Sequence, residues 1–75
     1  MNEFSLMIRN MLDMECDHIS KGLITKEFAG NAINAFISGL MVEEKTETEV
    51  KSNQFLRYIS KWCKIYIENI EVKKE

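Results

Sequence analysis

The residues best equipped for chemistry are bunched together. Asp13, Glu15, Cys16, Asp17 and His18 fall within a few positions of one another and include the only histidine of the chain. Such a cluster invites a metal. A zinc site, however, takes about four ligands, usually from paired motifs. Cys16 and His18 are two residues apart, which puts them about 200° apart on a helix, so they point to opposite sides of it and cannot chelate one ion. Asp13 with Asp17 and Met14 with His18 have the i,i+4 spacing, but only the first is a pair of hard ligands, too few for a site. No metal or cofactor is expected. His18 reads as a last-turn residue whose cationic form suits a helix C-terminus.

Glu15 is the unusual member. On a helical wheel it sits between Ile8, Met11 and Ile19, inside the apolar stripe. A buried carboxylate needs a partner. Two readings stand: a rim position, or a polar anchor in an interface that sets register or partner choice. Lys, Arg, Tyr58, Trp62 and Tyr66 are its available partners.

Catalysis finds little support. General acid–base work needs placed groups in a cleft. The chain has one histidine, no glycine-rich phosphate loop, no nucleophile elbow and no zinc motif, and 75 residues leave little room for a substrate pocket. The expectation is a non-catalytic protein. Cys16 and Cys63 are too few for a disulfide framework and read as free thiols at apolar helical positions.

The elements that hold these residues are helical. Proline is absent and glycine occurs three times, so little interrupts a helix. A first helix is expected over 3–21, with Asn2 as N-cap and Phe4, Met7, Ile8, Met11, Leu12 and Ile19 recurring at three and four. Gly22 is placed to end it in the left-handed region, with Leu23 as the accompanying apolar contact. Thr25 caps a second helix over 26–41, whose large apolar residues are Phe28, Ile33, Phe36, Ile37 and Leu40. Ala32, Ala35 and Gly39 form a smooth stripe where a close helix crossing is expected. The short link forces an antiparallel hairpin. A polar connection, 43–49, leads to a third helix over 47–73. Thr46 and Glu49 open it as a capping box, and Lys73 and Lys74 close it. The fold class is all-α: a hairpin plus a long C-terminal helix in one three-helix domain spanning 1–75.

The third helix carries more apolar surface than it needs. Phe55, Ile59, Trp62, Cys63, Tyr66 and Ile70 form a stripe, widened by Leu56 and Ile67 on one side and Tyr58, Ile65 and Val72 on the other. The arc covers about 220°, against little more than about 100° for an ordinary surface helix. Two shorter helices should leave part of it bare. Either this face binds protein, or the second helix covers more than its length implies, or the third bends near Ser52-Asn53 and folds back. The expected binding residues are Tyr58, Trp62, Ile65, Tyr66, Ile67, Ile70 and Val72, and the occupant is a protein partner, a second copy, or both.

A rival reading uses charge. Residues 43–50 carry −3 and residues 51–75 carry +3. Arg57, Lys61 and Lys64 share a face that could meet nucleic acid. Against it stand an isoelectric point near 5.4 and the interruption by Glu68 and Glu71, since nucleic-acid modules are strongly basic. No apolar run reaches the roughly 18 residues of a membrane span, and the N-terminus lacks the basic start of a signal peptide. The chain reads as cytoplasmic. Eight lysines against two arginines, with nine isoleucines, is the usage of low-GC genomes, bacterial and phage.

The stretch Ile-Ser-Lys-Gly-Leu-Ile-Thr-Lys-Glu-Phe, residues 19–28, is similar to the Gly-x-Ile-Thr turn of many small bacterial helical hairpins. Its capping chemistry accounts for that likeness, and it carries no functional residues with it. The functional expectation is a small regulator or stoichiometric inhibitor of a protein partner, in the manner of compact phage-encoded regulators. Nucleic-acid binding is the alternative.

Overall fold

The computed structural model describes residues 3–72 and contains three helices: α1 (Glu3–Ser20), α2 (Lys26–Gly39) and α3 (Glu47–Glu68). No strand occurs among the described residues, and none of the helices is long and apolar enough to cross a membrane.

Each boundary has a local chemical cause. Gly22 takes φ 74°. That conformation lets Leu23 N–H donate to His18 O and Gly22 N–H to Ile19 O, both at 2.9 Å, the two bonds that close a helix with a left-handed residue. The apolar contact expected of Leu23 does not form, because its side chain is 68% exposed; Ile24 turns to the core instead. Thr25 Oγ1 accepts from Phe28 N–H at 3.0 Å and starts α2. Thr46 Oγ1 accepts from Glu49 N–H at 3.2 Å and starts α3. The reciprocal half of this box is displaced by one residue: Glu49 Oε1 accepts from Lys45 N–H rather than from Thr46. Asn2, the expected cap of α1, lies outside the described residues.

Two helices end earlier than their periodicity implies. α2 stops at Gly39, where Leu40 and Met41 N–H groups turn back onto Ile37 and Ser38 carbonyls. α3 stops at Glu68 rather than at Lys73. Asn69 Nδ2 donates to Ile65 O at 2.8 Å, and Asn69 N–H tightens onto Tyr66 O. Lys26 Nζ of α2 caps the Glu68 carbonyl at 3.0 Å, bringing a cation to the negative end of the helix dipole. Lys73 and Lys74, expected in that role, lie outside the described residues. α3 is continuous through Ser52-Asn53, so the bend considered above is absent.

α2 is the middle helix. It packs against α1 on one side and α3 on the other, while the α1 and α3 backbones scarcely approach each other. Contacts from Lys26 to Glu68, from Asn34 to Ser60 and from Val42 to Asn53 run α2 antiparallel to α3. The core is Ile8 and Ile19 of α1, Ala29, Ile33 and Ile37 of α2, and Leu56, Cys63 and Ile67 of α3. On α2 the buried spacing is i, i+4, i+8, and the small residue in that line is Ala29, which is fully buried. The smooth stripe faces elsewhere: Ala35 and Gly39 are exposed and Ala32 is half-buried. Phe28 is likewise turned to solvent.

The connection between α2 and α3 is pinned by one side chain. Asn53 is buried. Its Oδ1 accepts from Val42 N–H at 3.0 Å and its Nδ2 donates to Val42 O at 2.7 Å. A buried primary amide satisfied on both sides locks that backbone as a strand partner would. The peptide groups of Val42, three residues past the end of α2, are thereby paired with a buried side chain.

Candidate protein-binding groove

α3 is rotated from the orientation its hydrophobicity implies. Its buried line runs through Asn53, Leu56, Cys63 and Ile67, with Ile59 and Ile70 packed half-buried beside it. The aromatic residues sit off this line. Trp62 is 53% exposed and Tyr66 54%, and Phe55, Tyr58 and Ile65 are exposed as well. The aliphatic and thiol side chains fill the narrow space against α2, where a ring would not fit without overpacking.

The expected binding residues therefore separate. Tyr58, Trp62, Ile65 and Tyr66 lie on one open surface of α3. Val72 is exposed but follows the end of the helix. Ile67 is 2% exposed and belongs to the core, so it has no surface to offer a partner. Ile70 packs against that core. Tyr58 and Trp62 meet edge to face, ring centroids 6.0 Å apart at 69°, an arrangement that holds both rings in place.

Because α1 and α3 stay apart, a groove of about 410 Å³ opens between them. Ile8 and Cys63 form its floor, Leu12 and Ile59 its inner walls, and Trp62 and Tyr66 its outer wall, with Arg9 and Asn69 among its polar lining. Sequence reasoning located the α3 side of this surface. The α1 side, Ser5, Ile8, Arg9 and Leu12, was not among the expected binding residues.

Glu15 lies within its own chain and not at a rim. It is 7% exposed, and its Oε2 is buried with no hydrogen-bond partner. None of the tyrosine or tryptophan partners considered for it bonds to it, since all three face outward. It falls in line with Ile8, Leu12 and Ile19, spaced four and three along α1, so the helix period carries it inside with them. An unsatisfied buried carboxylate oxygen is costly, whereas an apolar group of similar length is not. Glu15→Met is expected to raise stability by about 1–2 kcal/mol, read as a gain in the midpoint of thermal unfolding. A lowered midpoint would mean that the carboxylate has a stabilising partner in solution.

Asp17 pairs with Lys21 at 2.9 Å on the surface. Among the described residues no three His, Cys, Asp or Glu side chains come together to hold a metal ion. Burial pushes the Cys63 thiol up from its ordinary value. It does the same to Cys16, with help from Asp13, Cys63 and Glu15 nearby. Both thiols are free and stay protonated and weakly nucleophilic near neutral pH.

The basic residues of α3 also separate. Arg57 Nη2 reaches Glu44 Oε1 at 3.4 Å and ties the acidic connection to the helix. Lys61 and Lys64 line a second groove, of about 600 Å³ between α2 and α3, together with Lys26, Asn31, Asn34 and Ser60. Ser60 Oγ donates to Asn34 Oδ1 across it at 3.1 Å. Glu27 and Glu68 sit in the same lining, so the groove is mixed in charge.

No protein-family model, curated protein or solved structure matches the chain.

Proposed function

We propose that the chain is a non-catalytic protein-binding module whose working surface is the aromatic face of α3 with the groove beside α1. The observation that carries this reading is the exposure of Trp62 and Tyr66 at the edge of an apolar groove. A tryptophan and tyrosines next to an arginine make the composition of interface hot spots. Contiguous apolar surface of this kind marks a site of association. In this reading the protein regulates or stoichiometrically inhibits the partner that it occupies. The nucleic-acid reading has less behind it, since Arg57 is engaged by Glu44 and carboxylates share the lysine groove.

The test is the double variant Trp62→Ala with Ile65→Asp. Both side chains are exposed, so the far-UV helical signal should be unchanged. Affinity for a partner captured from source cells should fall at least about 100-fold, as for the loss of a hot spot. Undiminished capture by the double variant would defeat the proposal. Ile67 and Ile70 are unsuitable targets, because a charge there would strike the core.

A further inference from the structure

We infer that the occupant of this face, in the protein on its own, is a second copy of the chain, with the two α3 helices packed antiparallel. The inference rests on the protein-binding reading above and names the partner.

Three observations point to self-pairing. The first is spacing. Phe55, Tyr58, Trp62 and Ile65 follow a three-four-three step, the repeat that forms a seam between two helices. All four are exposed. At 100° per residue their line lies about 140° round α3 from the buried line of Leu56, Cys63 and Ile67, so the helix can serve its own core and a second helix at once.

The second is area. The chain exposes 5739 Å². A folded monomer of 8.8 kDa is expected to expose about 4800 Å². The chain as a whole thus exposes about 900 Å² more than a compact monomer of its mass, enough in total to supply the roughly 800 Å² that each partner contributes to a standard interface.

The third is charge. Lys61 and Glu68 flank one edge of the seam, and among the described residues neither makes an ion pair. Antiparallel packing sets Trp62 against Ile65 of the second copy. Lys61 then faces Glu68 of the second copy, and two-fold symmetry makes that pair twice. Parallel packing would set Lys61 beside Tyr66 of the second copy and make no such pair. The other edge of the seam, Ile59 and Tyr66, borders the groove beside α1, so the incoming helix also covers that opening. Any different protein that uses this face competes with self-pairing, and dilution favours it.

The experiment is solution mass by light scattering, with sedimentation for affinities, on the full chain up to about 200 µM. The expected mass at the upper end is twice 8.8 kDa. Lys61→Glu alone and Glu68→Lys alone should each weaken association about tenfold. The double variant K61E/E68K should restore it, because the opposed charges are exchanged and the fold is untouched. A monomer at every concentration overturns the inference. A dimer whose double variant is no tighter than the single ones overturns the antiparallel register. The two readings fail separately: a monomer whose capture of another protein is still lost in Trp62→Ala with Ile65→Asp leaves the proposed function standing without the second copy. A dimer insensitive to that double variant uses another face and overturns the second copy on this one.

Discussion

Asn53→Ala should lower stability by about 3 kcal/mol, one of the largest effects expected of a polar substitution in this chain. The amide of Asn53 satisfies both the N–H and the C=O of Val42. Removing it leaves two backbone groups without their partner just past the end of α2, and each such loss costs about 1–3 kcal/mol. For a domain of this size that is a fall of about 12–24 °C in the thermal midpoint. Asn53→Asp discriminates further. A carboxylate still accepts from Val42 N–H but cannot donate to Val42 O, so it should be no better than alanine. Calorimetry on the two variants checks both statements. A midpoint shift of a degree or two in each would mean that Val42 finds water instead and that the pairing contributes little.

The second large effect contrasts two apolar residues of α2. Ile33→Ala should cost about 3–4 kcal/mol, and Phe28→Ala no more than about 0.5 kcal/mol, although phenylalanine is the larger side chain. Ile33 is 2% exposed within the core, and truncating it combines lost burial with a cavity that close-packed neighbours fill only in part. Phe28 projects into solvent, where substitutions rarely matter. Urea unfolding of both variants, with an unchanged slope for each, measures the difference. Equal losses would place Phe28 against the core in solution and rotate α2 from its position here.

These contrasts mark what was readable in the residues alone. The caps were legible because their chemistry is local: Gly22, Thr25 and Thr46 act on amides within three residues or on their own backbone. Helix number and order follow from them. The rotation of each helix was not legible to the same degree. Hydrophobicity ranks Trp62 with Leu56, yet only the space between two helices decides which fits, and the smaller residue won. A signal was present in the separation of rings from aliphatic side chains on α3: Leu56, Cys63 and Ile67 lie together, while Tyr58, Trp62 and Tyr66 lie to one side. The role of Asn53 could not be inferred from its neighbours, since its partner is eleven residues away and meets it only once α2 and α3 have paired. The early stop of α3 had a visible cause in Asn69, a residue suited to helix ends, but the apolar period continuing to Val72 outweighed it. The face that became the candidate site was thus found with its centre shifted, and its α1 wall was missed because a groove needs two helices to stay apart.

The position of α2 has a consequence for how the molecule comes undone. α1 and α3 are joined through the shortest helix of the three and hardly to each other. Much of the cooperativity between the ends of the chain therefore passes through α2 and its buried residues Ala29, Ile33 and Ile37. Loosening them does not release one helix into water; it frees two amphipathic helices at once, each with an apolar side and no neighbour. Such a species is primed to aggregate, so small losses of stability in α2 should appear first as lost solubility and only later as lost helix.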